Sequence, residues 1–238
     1  MPTVATRPRE FVRVAGPDAE DFLQRMVSND VAANGECEAL LLTPKARIIA
    51  PLRIVRRARD DFLLLTEPGL GDTVRTALLR SRFAAKVEVE PEQHRSWLVV
   101  GGDEVLDERP EGDEASEEDV ERWRIESGVP RWGRELDDTI LPAEAGLEHT
   151  HISFTKGCYP GQEPIARQHY RGKVNRRLRV LDLEGEAEPG DELVYQGKVV
   201  GRITSAVPGV ALGYVRTEVP EGAHLELAAK PGFARLRH

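Results

Sequence analysis

The sequence predicts an α+β fold with an antiparallel sheet that gives way, near residue 175, to a small all-β barrel or sandwich. Helix-period and strand-period segments alternate through the first half, and after Asn175 short apolar runs are punctuated by regular turn signals. With 40% hydrophobic and 31% charged residues, the 238-residue chain can bury a core shared among two or three subdomains.

The opening reads as a strand, Phe11 to Val14, broken by Gly16-Pro17, with Asp18 placed to cap a helix whose apolar face is Ala19, Phe22, Leu23 and Met26. Strands follow at 40–43, 47–55 and 62–66, with Asp60-Asp61 as a turn. A second helix is expected over about 71–82, its inner side marked by Val74, Leu78 and Phe83, then strands at 86–89 and 97–100. The acidic stretch 103–121 reads as a solvated linker running into a helix whose start, Ser116 with Asp119, is a capping box. In the last third, apolar runs at 178–183, 192–195, 199–204, 211–215 and 225–228 alternate with Pro189-Gly190, Gln196-Gly197, Pro208-Gly209 and Glu221-Gly222.

Composition narrows the function. Residues 1–10 carry no apolar block, and no run approaches the roughly 18 apolar residues of a membrane span, so a cytoplasmic protein is expected. Two cysteines, Cys37 and Cys158, are too few for a disulfide framework or a four-thiolate site, and reduced thiols fit best. A net charge of -8 argues against bulk nucleic-acid binding. Gly69 to Val74 lacks the third glycine of a dinucleotide fingerprint and reads as a helix entry. His149 and His151 would point the same way on a strand, but with no third ligand no metal site is expected.

The densest chemistry lies in Lys156-Gly157-Cys158-Tyr159-Pro160-Gly161-Gln162-Glu163. Two glycines and a proline around a cysteine demand a tight turn, preceded by a strand at 151–154 and followed by a short helix over 163–169. Near a helix start, with Lys156 and Arg167 as neighbours, the Cys158 thiolate would be favoured; the alternative is an inert, half-buried cysteine. Immediately after come five arginines and Lys173 between 167 and 179, either an anion site or a solvated strand edge facing the acidic stretch.

These residues resemble a known family. The 156–163 segment is similar to the KGCYxGQE signature of folate-binding, YgfZ-type proteins of the glycine-cleavage T-protein-like superfamily, which support iron-sulfur cluster assembly and tRNA modification. Residues 122–136 resemble the family's RxxxGxPxxGxEL block, 141–147 its PxEAGL, 200–205 its VGxxTS, and 16–19 with 28–31 its N-terminal strand and helix. The resemblance implies two interleaved α+β, ferredoxin-like subdomains around a central cavity, over residues 1–175 with an inserted subdomain at about 46–110, then a β-barrel over 176–238. It implies a tetrahydrofolate pocket, with Glu126 accepting hydrogen bonds from the pterin ring and Lys156, Gly157, Tyr159, Gln162 and Arg167 as further binding residues. Cys158 becomes the reactive or partner-contacting thiol. Aminomethyltransferases carry an aspartate pair where this chain has Ala46 to Pro51, so a non-catalytic accessory factor for [4Fe-4S] proteins is expected, unless Asp30 or Asp60 is repurposed. The alternatives are a folate-dependent one-carbon enzyme of aminomethyltransferase or demethylase type, and a tRNA-binding module using the 167–179 patch.

Overall fold

The computed structural model describes residues 2–32 and 35–237. The chain begins β1 (Thr3–Thr6), β2 (Glu10–Ala15), α1 (Ala19–Met26), β3 (Glu36–Leu42), β4 (Ile48–Ala58), β5 (Asp61–Thr66) and α2 (Gly71–Arg80). It continues β6 (Glu88–Glu92), β7 (Ser96–Val99), β8 (Glu104–Leu106), β9 (Asp113–Glu114) and α3 (Glu117–Glu126), then crosses an irregular stretch to α4 (Gln162–Arg171). The last segment is β10 (Arg176–Gly185), β11 (Glu192–Tyr195), β12 (Lys198–Val207), β13 (Val210–Arg216), β14 (His224–Leu227) and β15 (Gly232–Leu236).

Three sheets result: an antiparallel one ordered β3-β4-β5-β2-β6, a smaller one ordered β8-β7-β1-β9, and a closed barrel ordered β10-β13-β12-β11-β14-β15. On the first sheet Val12, Val14, Phe62 and Leu64 face α1 and α2, meeting Phe22, Leu23, Val74 and Leu78 in the main core. The alternate residues Phe11, Leu63 and Leu65 pack on the other side with Leu106 of the second sheet. Burial on both faces explains why β5 is an unbroken apolar run. The expected insertion at about 46–110 spans both sheets: β4 pairs with β3 and β5 pairs with β2 in the first, whereas β7 and β8 belong to the second.

The barrel docks on the rest through α3. Ile125 packs with Val210 and Leu212, and beside this contact lies a buried polar network. Arg124 Nη1 donates to Glu135 Oε2 at 2.9 Å and its Nη2 to Ser205 Oγ at 2.7 Å, while Ser205 Oγ donates to Glu135 Oε1 at 2.6 Å. The Arg131 amide completes the Glu135 carboxylate, and Tyr214 OH donates to the Glu135 carbonyl at 2.8 Å. Every member is satisfied, as a buried charge requires.

Several expectations change. Residues 151–154 form bends rather than a strand, because their backbone groups at His151 O and Ser153 N are taken by Ser28 rather than by a neighbouring strand. Phe83 is 91% exposed at a turn with φ +46°, so it does not line α2's inner side. Asp18 precedes α1 without capping it; its carboxylate accepts the Lys86 amide instead. The acidic stretch is not all solvated: Glu104 is buried on β8 and takes two hydrogen bonds from Arg9 at 3.0 Å. The capping box at Ser116 and Asp119 forms as expected.

Sheet margins are short or covered. β8 and β9 have three and two residues, and β6 contains Pro91. The outer side of β3 is covered where Ser28 N donates to Leu40 O and Leu40 N donates to Ser28 Oγ.

Candidate functional site

A cavity of about 360 Å³ opens between the two sheets. Glu36, Cys37 and Glu38 from β3 and Arg53 from β4 form one wall; Leu98, Glu104 and the turn at Gly102-Asp103 form the other, with Arg7 and Trp123 closing the sides. Strand alternation sends Glu36 and Glu38 to the same face. Glu36 is held by Arg53 at 2.6 Å, and Glu104 by Arg9 at 3.0 Å and Arg7 at 3.3 Å. Among the described residues no arginine comes within ion-pair distance of Glu38; its pair there is with His151 Nε2 at 3.7 Å. Its side chain is 45% exposed, open to the cavity yet surrounded by protein, and that desolvation raises its carboxyl pKa against the pull of Arg9, Arg53 and Arg7.

The wall behind Glu38 is rigid. Asn29 Nδ2 donates to the Glu38 carbonyl at 2.7 Å and to Thr150 O at 3.0 Å, and Ser28 Oγ donates to His151 O at 2.6 Å. Lys156 Nζ reaches across to Val27 O at 2.8 Å and Asn29 O at 2.5 Å. Burial lowers the Lys156 pKa to about 8 and the His151 pKa to about 4, and raises that of the Cys37 thiol to about 11. Segment 147–161 is thereby laced to residues 27–29, which are in turn bonded to β3 at Glu38 and Leu40.

The cysteine turn faces outward. Cys158 and Gly157 are exposed, whereas Tyr159 is buried among Leu40, Leu42, Ile48 and Ile165. Gly161 begins α4 with φ +86°, and a Cβ there would lie 2.7 Å from Thr43 O, so only glycine fits. The neighbours expected to activate Cys158 are engaged elsewhere: Lys156 holds the Val27 and Asn29 carbonyls, and Arg167 pairs with Glu163 at 2.8 Å. None of the expected ligand-binding residues Glu126, Lys156, Gly157, Tyr159, Gln162 and Arg167 lines the cavity. Glu126 lies one helical turn beyond Trp123 on α3, 45% exposed and 3.9 Å from Arg122.

Other candidates are placed apart. Asp30 accepts from Gln24 Nε2 and the Ala32 amide, and Asp60 is exposed in the β4–β5 turn; neither lines the cavity. His149 is 74% exposed and His151 14%, so the two do not converge. In the basic stretch Arg176, Arg177 and Arg179 pair with Glu144, Glu148 and Glu221 rather than with the acidic stretch, and the side chain of Arg171 is outside the described residues. A larger cleft, about 710 Å³, runs between β1, the start of α3 and the barrel; its Arg131 and Glu121 are spent on each other at 2.8 Å.

Residues 175–236 match the model of the CAF17 C-terminal beta-barrel domain. Over 90% of this chain and 77% of the other, the sequence is 24% identical to the mouse iron-sulfur cluster assembly factor IBA57, mitochondrial. It is 26% identical to the tRNA-modifying protein YgfZ of Enterobacter sp. (strain 638), over 71% and 68%. The fold superposes on glycine cleavage system aminomethyltransferase T from Bartonella henselae with a TM-score of 0.82, covering 100% of this chain and 85% of that one at 18% identity. These likenesses all fit the YgfZ/IBA57, T-protein-like family.

The YgfZ-type signature blocks divide into two groups in this structure. Arg124 and Glu135 from the first block meet Ser205 of VGxxTS in the network that bolts α3 to the barrel. The Ser28-Asn29 and 156–163 segments meet on β3, behind the cavity wall. Glu38 lies in no block. Its only sequence signal was the i, i+2 pair Glu36/Glu38 in a strand, which reads as an ordinary solvent-facing edge.

Proposed function

We propose that this protein is a tetrahydrofolate-binding accessory factor that supports assembly or repair of [4Fe-4S] proteins. The observation that carries it is the cavity: a flat indole, a carboxylate that no arginine pairs with at ion-pair distance among the described residues, and two arginines line one space in a T-protein-like fold. Those groups fit a reduced folate by donor set. Trp123 suits a planar ring, carboxylates suit its amino-pyrimidine edge, and Arg7 and Arg53 suit the glutamyl carboxylates. Glu126, one helical turn beyond Trp123 on α3, is the carboxylate assigned to the pterin by family resemblance.

The exposed Cys158, on a turn whose flanks are locked, serves as the contact to client or assembly proteins. A cluster is cargo here, since two cysteines supply half the thiolates of a [4Fe-4S] site. The name of the mouse relative, an iron-sulfur cluster assembly factor, supports this class of role, while that of the Enterobacter relative speaks of tRNA modification.

Anaerobic calorimetry with tetrahydrofolate tests the ligand: micromolar-order binding is expected, weakened about tenfold or more by Glu126→Ala, the scale of losing a charged hydrogen bond. The client role is tested by [4Fe-4S] enzyme activity in cells lacking the protein, which wild type should restore and Cys158→Ala should not. Restoration by Cys158→Ala removes the thiol from the reading; no binding by wild type removes the folate.

A further inference from the structure

Glu38 is the cavity feature that the sequence signature leaves unexplained. It projects from β3 while Trp123 belongs to α3, so a ring held by its pyrimidine edge on the α3 side presents its opposite edge to β3. Three features mark Glu38 as built for a ligand. Its backbone is pinned by Asn29, its carboxylate has no arginine at ion-pair distance among the described residues although Glu36 and Glu104 beside it do, and its side chain opens into the cavity.

The chemistry of that opposite edge depends on oxidation state. A tetrahydropteridine ring carries N–H groups at both ring nitrogens of its reduced half. The fully oxidised ring has lone pairs at those positions. A carboxylate accepts hydrogen bonds from the first and repels the lone pairs of the second, so a ligand that closes the cavity over Glu38 is favoured in its reduced form. We propose that Glu38 is the specificity-determining residue that selects the reduced form of a bound pteridine, accepting its ring N–H from the β3 wall. This inference rests on the folate reading above.

The groups facing Glu38 are His151 from the 147–161 segment, Arg7 and Arg9 from the second sheet and its approach, Arg53 from β4, Glu104 from β8 and the adjacent Cys37. Because crowding already raises its carboxyl pKa, Glu38 protonates above the ordinary glutamate range and then accepts poorly. Affinity for the reduced ligand should therefore fall on acidification.

The test is calorimetry of the full chain with tetrahydrofolate and with folic acid, in wild type, Glu38→Ala and Glu38→Gln. Wild type should prefer the reduced form by about tenfold or more, and Glu38→Ala should bring the two affinities within about threefold, chiefly by weakening the reduced ligand. Glu38→Gln, which keeps the side-chain shape, should bind without the wild type's loss of affinity at low pH beyond that of the ligand itself. An unchanged preference in Glu38→Ala, or an unchanged pH profile in Glu38→Gln, overturns the proposal while leaving folate binding intact. Failure of wild type to bind either form overturns the folate reading and this inference with it.

Discussion

His151 is neutral at physiological pH because its ring is enclosed beside β3, which holds its pKa at about 4 against an ordinary 6.5. The unfolded chain takes up a proton that the folded chain refuses, so stability falls as pH drops from about 6.5 towards 4, by up to about 3 kcal/mol. Urea melts at pH 7 and pH 4.5 should show this loss, and His151→Asn should reduce it. Glu38 acts in the opposite sense, since its raised carboxyl gains a proton before the unfolded chain does, so the comparison is best made in Glu38→Gln. At this scale the sequence reveals turns better than environments. Glycine and proline around Cys158 predict an outward thiol, and the thiol is exposed. The same letters do not say that the Lys156 ammonium is drawn inward by the carbonyls of Val27 and Asn29, more than a hundred residues away in sequence.

Helix α3 depends on two devices of different legibility. Its capping box is local, readable from Ser116 and Asp119 alone, and Ser116→Ala should cost about 1 kcal/mol in denaturant unfolding. Its attachment to the barrel is non-local. Glu135 is buried and accepts from Arg124, Ser205 and the Arg131 amide, so Glu135→Ala leaves Arg124 with Glu121 as its carboxylate partner and should cost about 1.5 to 3 kcal/mol, the scale of hydrogen bonds to charged groups. In a double-mutant cycle with Arg124→Met, much of that penalty should be recovered; simple additivity would show that the pair acts independently. The sequence shows Ser205 and Glu135 only as parts of separate motifs, because a contact spanning 70 residues leaves no periodicity. Gly161 belongs to the same class: its positive φ was foreseeable at a tight turn, but the Thr43 carbonyl that excludes a side chain was not.

For the molecule as a whole, long strands and amphipathic helices were legible because each buries a regular face. Strands β1, β8 and β9, of two to four residues, were not, since so short a segment shows no alternation. The barrel was visible from its turns; Gln196 and Gly197 take φ of +51° and +75°, the paired positive values of a tight hairpin. Its last strand, β15, escaped because Gly232 and Arg235 dilute the pattern. Barrel and α3 share an apolar contact, so a chain cut after Asn175 exposes Ile125, and such a fragment should lose the sharp thermal transition expected of the full protein. The guarded sheet margins carry a consequence for growth and assembly. With one sheet closed on itself, a proline in one border strand, two stubs in another sheet and a backbone strap over β3, the described surface gives a foreign strand little unpaired backbone to extend. Partners must therefore recognise this protein through side chains, and its route to fibrils begins only after unfolding.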